Sequence, residues 1–226
     1  MAVEVGWGTD DPFGQALDGF FGDPEQPEDL TDLFQALDNV ESVGSAKWTP
    51  FPKQALAWEM ASKADETLFG GAAGPGKTEW GLEYAIAEME RFPNNRGLIV
   101  RRVYPSLLRS IIPRLKRKLP SHRARWNAND KTFTFPNGSI LELASLQHID
   151  DTTDYQGAEY GIIFFEEITE FVESQWTDLI ARLRPPDGCN CRPHAIATAN
   201  PGGRGHTWVK RRWVKPKPED LENDQE

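Results

Sequence analysis

The stretch Gly71-Ala72-Ala73-Gly74-Pro75-Gly76-Lys77-Thr78 has the residue types and spacing to hold a chain of phosphates. A glycine, four residues and then Gly-Lys-Thr let successive backbone N–H groups turn inward around anionic oxygens. In such a loop Lys77 reaches the β- and γ-phosphates of a nucleotide, and the Thr78 hydroxyl helps to hold Mg²⁺. A helix that starts at the end of the loop adds the positive end of its dipole. The bland alternative is a Gly-rich strand-to-helix turn that binds nothing; the complete spacing argues against it.

Two further strand ends carry polar groups. The apolar run from Tyr160 to Phe165 finishes in Glu166 and Glu167. One carboxylate of such a pair can hold Mg²⁺ through its water shell while the other polarises an attacking water. Adjacent strand residues point to opposite faces, which lets the pair divide these tasks, with Glu166 taken for the metal and Glu167 for general base. The run His194 to Ala199 closes in Asn200-Pro201-Gly202-Gly203. Beside the acidic strand, Thr198 or Asn200 could sense a γ-phosphate, although standing alone the segment reads as a turn. Upstream, Gln54 carries an amide that both donates and accepts, as reading an adenine edge requires.

These groups need a scaffold, and the apolar periodicity supplies one. Thr67-Leu68-Phe69 reads as a buried strand before the loop, and Glu79 to Met89 as the helix after it. Gln54 to Ala64 reads as a helix with Leu56, Ala57 and Met60 inward. Arg96 to Arg102 is a short strand ending in two arginines. Tyr104 to Leu119 has apolar residues at helical spacing, with a kink or split expected at Pro113. Lys131–Phe135 and Ser139–Leu143 flank Asn137-Gly138 as a β-hairpin. A helix carrying Phe171, Trp176, Leu179, Ile180 and Leu183 precedes the strand at His194.

The net charge of −10 divides unevenly along the 226 residues. Residues 1–46 hold eleven acids and no Lys or Arg, and residues 218–226 hold five acids and no base, which leaves +6 for 47–217. The chain is read as an acidic extension (1–46), a domain (47–214) and a charged tail (215–226). Within the extension, 29–41 and the cluster Phe13, Leu17, Phe20 and Phe21 suit short amphipathic helices that dock on a partner, or a flexible tail. Nine Lys or Arg and no acid occur between 101 and 128, a bias that favours a polyanion partner. Arg114, Lys116, Arg117, Lys118 and Arg123 are the candidates there. A second patch, Arg204 to Lys217, adds Lys210, Arg211 and Arg212, or else forms a linker. The spacing of Cys189 and Cys191 fits neither a disulfide framework nor a zinc pair and suggests free thiols in a reducing setting. No apolar run of membrane-spanning length occurs.

Gln54, Gly71–Thr78, Phe165-Glu166-Glu167, Thr198–Gly203 and Gly205-His206-Thr207-Trp208, in that order, resemble the ATPase domain of the terminase large subunit, the DNA-packaging motor of tailed bacteriophages. Val100-Arg101-Arg102 with Ser106-Leu107, Tyr155–Tyr160 and Ala181–Arg184 extend the likeness to about Trp48–Val214. The resemblance implies an α/β P-loop NTPase fold of the additional-strand, catalytic-glutamate class, with a central mostly parallel sheet flanked by helices. It implies ATP and Mg²⁺ as cofactors, and hydrolysis that drives double-stranded DNA into a procapsid. Gln54 would contact adenine, Glu167 would be the catalytic glutamate, and Thr198 to Asn200 would couple hydrolysis to motion. Arg101 and Arg102 match residues that act as arginine fingers in some members. A small terminase subunit, a portal, a homo-oligomeric ring and the host cytoplasm follow from the same likeness. Glu166 stands where the family has Asp. No second carboxylate cluster for a nuclease follows Val214, so the cutting activity is expected in a separate domain or chain, with this chain either truncated or half of a split system. Rival readings are a helicase or repair ATPase, and a non-catalytic nucleotide-binding interaction module.

Overall fold

The computed structural model describes residues 2–5, 48–71, 74 and 76–214. The helices expected within 13–21 and 29–41, the loop residues Ala72, Ala73 and Pro75, and the tail from 215 lie outside these.

Short apolar runs set the architecture. Along Ile162–Phe165 (β7), Ile162 and Phe164 join one buried layer, and Ile163 and Phe165 join the other. A strand buried on both sides needs helices above and below, which favours parallel strands with helical crossovers. Among the described residues eight strands form one sheet: β1 (Ala2–Val5), β2 (Glu66–Phe69), β3 (Arg96–Arg101), β4 (Arg125–Asn127), β5 (Thr132–Thr134), β6 (Ile140–Ser145), β7 and β8 (His194–Thr198). Their order is β1-β2-β8-β7-β3-β6-β5-β4. Pairing is parallel from β1 through β6 and antiparallel for β6-β5-β4. One layer contains α1 (Pro52–Lys63), α2 (Lys77–Arg91) and α3 (Ile112–Lys118). The other contains α4 (Glu173–Ile180) and α5 (His206–Val209).

Strand β8 lies between β2, which leads into the glycine loop, and β7, which leads into the two glutamates. That is the additional strand the resemblance implied. Phe69 faces Thr198, Ala197 faces Phe165, and Phe165 faces Val100. The carboxyl ends of β2, β8, β7 and β3 therefore finish nearly level, so the residues that follow them crowd along one edge, where open α/β sheets bind ligands.

Some local expectations change. Leu56, read as inward-facing, is 43% exposed, while Gln54, Ala55, Ala57 and Ala61 form the buried face of α1. Small residues let α1 approach closely, a preference that apolar periodicity does not register. The run from Tyr104 is broken: a short helical turn leads into a π-turn over Leu107–Ile111, and α3 starts at Ile112. Pro113 has no N–H to give to the preceding turn, and a widened turn accommodates the loss. The hairpin forms and acquires β4 as a third strand, while its β6 also pairs with β3. Ala2–Val5 pairs with β2 at the sheet edge, although the composition around it suggested only an appendage.

Gly81 shows how tightly α2 sits on the sheet. A Cβ there would lie 2.2 Å from Cζ of Phe164, which is fully buried on β7. A bulkier residue must push α2 and β7 apart. Gly81→Val should lower the unfolding free energy by about 2–3 kcal/mol in a urea titration. An unchanged midpoint would show that α2 is not seated against Phe164 as described.

Candidate active site

Gly76 is the hinge between loop and helix. Its backbone is left-handed (φ 72°, ψ 26°), and a Cβ there would lie 2.5 Å from Nε2 of Gln54. Conformation and space therefore both require glycine. Helix α2 begins at the next residue, so its unpaired first-turn N–H groups and positive dipole end face the loop. Lys77 folds back and donates from Nζ to the Gly71 carbonyl at 2.8 Å. Burial lowers its pKa to about 8, against the opposing pull of the Glu167 carboxylate. A buried ammonium held by a neutral carbonyl suits an incoming anion better than its present partner.

Glu166 continues the face of Ile162 and Phe164, the face that packs on α2. Its Oε1 accepts a hydrogen bond from the Thr78 hydroxyl at 2.7 Å, and its other oxygen pairs with Arg101. Glu167 takes a left-handed conformation, φ 58°, rare for a residue with a side chain. This turn carries its carboxylate over to β8. Asn200 donates from Nδ2 to Oε1 at 3.2 Å, and the Glu167 N–H donates to Thr198 Oγ1 at 3.2 Å. The two glutamates do diverge, but through this backbone turn rather than through strand alternation. Backbone of this kind costs about 1–3 kcal/mol and persists where surrounding contacts enforce it.

Arg101, at the end of β3, spans the pair: besides Glu166 it meets Glu167 Oε2 at 2.9 Å. Arg102 turns elsewhere and donates to the Leu146 carbonyl; burial, with the nearby Arg204, lowers its pKa. Gln54 is buried beneath the loop. Its oxygen accepts from the Phe51 N–H at 2.8 Å, and its Nε2 donates to the Gly76 carbonyl at 2.9 Å. In this arrangement Gln54 braces the phosphate loop against the start of α1.

A cleft of about 290 Å³ is lined by Gly74, Gly76, Lys77, Thr78, Glu166, Glu167, Thr198, Ala199 and Asn200. Glu79 and Arg114 complete its wall, and neither was read as part of it from sequence. A cue existed for Glu79, which directly follows Thr78; for Arg114 only the fold brings it near. The Thr78 hydroxyl and the Glu166 carboxylate place hard oxygen donors side by side. That suits Mg²⁺, which takes few protein ligands and completes its shell with water and phosphate. Among the described residues no group of three or more His, Cys, Asp or Glu could hold a metal by itself.

The basic candidates separate in space. Lys118 is held by Glu83 at 2.5 Å and by Glu79, and Arg123 by Glu90 at 2.7 Å. Arg211 meets Glu173 at 2.5 Å, and Arg212 makes a two-pronged contact with Glu66 at 2.6 and 2.8 Å. Lys116 lies over the Trp126 ring and stays exposed, as does Arg117. Lys210 is half-buried. Cys189 and Cys191 are free thiols. Among the described residues no helix is long and apolar enough to cross a membrane.

Comparison with known proteins places this geometry in a family. Residues 63–226 match the model of the phage terminase large subunit. The large terminase of a thermophilic bacteriophage superposes with a TM-score of 0.60 at 25% identity, covering 76% of this chain and 44% of that one. The same protein has been solved with ATP-γ-S (TM-score 0.58, 24% identity, 76% and 43% covered) and with ADP (0.55, 25%, 76% and 44%). The HK97 bacteriophage large terminase shares the fold at a TM-score of 0.54 and 14% identity, over 81% of this chain and 39% of that one. The chain thus spans less than half the length of these solved relatives. No curated protein matches it.

The buried Lys77 has a consequence for stability. Desolvation holds its folded pKa at about 8, below the ordinary lysine value. Between the folded and the ordinary value the unfolded chain holds the proton more tightly, so unfolding takes up a proton and stability rises with pH. Urea titrations from about pH 8 to 10 should show that rise in the nucleotide-free chain, and Lys77→Met should flatten it. A slope unaffected by the substitution would mean Lys77 is not desolvated.

Proposed function

The chain belongs to the phage terminase large subunit family, and from that premise we propose that residues 47–214 form an ATP-hydrolysing motor domain that drives double-stranded DNA into a viral procapsid. The observation that carries this reading is the placement of Glu167. It sits across the cleft from the phosphate loop, in a strained turn, with one oxygen on Asn200 and the other on Arg101. The ADP complex of the thermophilic bacteriophage large terminase supports a nucleotide in the matching cleft.

In this mechanism the Lys77 ammonium exchanges the Gly71 carbonyl for the β- and γ-phosphate oxygens. Glu167 orients the attacking water and takes its proton. Arg101 bridges the two carboxylates and is one of the two arginines that the family likeness offers as a finger; Arg102, aimed at Leu146, would first have to turn. Mg²⁺ held by Thr78 and Glu166 would supply charge neutralisation at the phosphate oxygens. Asn200 and Thr198 touch Glu167 directly, so a change at the γ-phosphate reaches β8 through one side chain. Gln54 would meet adenine at the loop it braces. Exposed Lys116 and Arg117 are the leading contacts for the DNA backbone. A homo-oligomeric ring, a small terminase subunit, a portal on the procapsid and the host cytoplasm complete the proposal on family grounds.

Two measurements test it. Glu167→Gln should reduce ATP hydrolysis about 10²–10⁴-fold while nucleotide still binds; hydrolysis that survives intact would remove Glu167 from the role of base. Binding to double-stranded DNA should ignore sequence and weaken steeply with salt. Replacing both Lys116 and Arg117 by alanine should shrink the log–log salt slope by about 2. A slope that stays the same would place the DNA on another face.

A further inference from the structure

Resting on the ATPase reading, the identity of the cation that meets the γ-phosphate can be taken further. The cleft wall carries three carboxylates, Glu79, Glu166 and Glu167, and a triphosphate would add several more negative charges. Arg101 is already matched to Glu166 and Glu167, and Arg102 points to a carbonyl outside the cleft. The cations on the wall itself are Lys77 and Arg114.

Arg114 reaches the cleft from α3, which shares a layer with α2. Helix α3 follows β3, and β3 lies next to β7 on the side away from β2. Arg114 therefore approaches from the acidic-strand side, where Thr78 and Glu166 stand, which is the γ-phosphate end of the site. Its carboxylate contact is loose: Glu79 lies 4.0 Å away, and the arginine side chain is 40% exposed. Glu79 is meanwhile matched more closely by Lys118, one helical turn further along α3. An exposed pair at such a distance is easily given up. A phosphoryl group offers the guanidinium fork two parallel acceptors, a stronger partner than a distant carboxylate.

We propose that Arg114 is a catalytic residue that leaves Glu79 and closes on the γ-phosphate within the same chain. This moves Arg114 from the DNA-contacting set, where its basic neighbourhood in the sequence had put it, into the nucleotide cleft. Charge building on the transferred phosphoryl group would then meet Lys77 on one side and Arg114 on the other.

The test compares the full chain with Arg114→Ala and Arg114→Lys, titrated with ATP-γ-S and with ADP in the presence of Mg²⁺. Arg114→Ala should weaken ATP-γ-S by about tenfold or more, as loss of a charge-assisted contact implies, and leave ADP affinity in place. Its ATP turnover should fall about 10³-fold or more, with only partial rescue by lysine, which keeps the charge and loses the fork. If the unaltered chain binds neither nucleotide, the ATPase reading fails and takes this inference with it. If the unaltered chain binds both, and Arg114→Ala changes both equally or neither, the ATPase reading stands and the role of Arg114 is overturned. A loss of DNA affinity with unchanged nucleotide binding overturns it too and returns Arg114 to the DNA contacts. Recovery of turnover on mixing Arg114→Ala chains with Glu167→Gln chains would place the arginine in a neighbouring subunit and overturn the same-chain claim.

Discussion

The site depends on how the Glu166 carboxylate, only 3% exposed, is compensated. Burying an ionised carboxylate costs several kcal/mol unless an opposite charge and hydrogen bonds compensate. Compensation comes from two directions: the Thr78 hydroxyl at the start of α2 and the Arg101 guanidinium at the end of β3. Those groups are far apart in sequence and meet only if the phosphate-loop helix, β7 and β3 finish level. The strand order and register that make them level are thus enforced by the charge as well as by apolar burial. From the strand end the Glu166 carboxylate touches Thr78 with one oxygen and Arg101 with the other.

From Glu166 the polar contacts continue through Arg101 to Glu167 and on to Asn200. Four elements, α2, β7, β3 and the end of β8, are tied by these side chains along one edge of the sheet. Lys77 donates to a neutral carbonyl, Arg101 is divided between two carboxylates, and Arg114 stands off from Glu79. On the proposed ATPase reading the exposed Arg114 pair is the one most easily given up, while Arg101 stays with its two carboxylates.

Much of this was legible in the sequence because it is local. A glycine loop with Gly-Lys-Thr declares itself by spacing, and an apolar run closed by two acids marks the end of a buried strand. The strands around residues 67, 97, 141, 163 and 196 and the helix after the loop were all visible in the same way. What stayed hidden depends on non-local pairing. That Arg101 bridges the glutamates follows from β3 lying beside β7. Gln54 bracing Gly76 follows from α1 packing under the loop, with small residues on its buried face. The left-handed turn at Glu167 has no marker, since nothing about glutamate suggests positive φ.

Charge shows the limit of linear reading most clearly. The basic run after Val100 has no acid of its own, yet α2 supplies Glu79, Glu83 and Glu90 against Lys118, Arg114 and Arg123. The later patch meets Glu66 and Glu173 in the same manner. Bases concentrated in one segment and acids in another is what two packed elements look like when their surfaces complement each other. Lys116 and Arg117 stay exposed on α3 beyond this pairing. On the proposed motor reading each phosphate contact would add a roughly fixed electrostatic increment, so pairing with α2 removes Lys118 and Arg123 from the DNA-contacting surface and would weaken the grip of a single subunit.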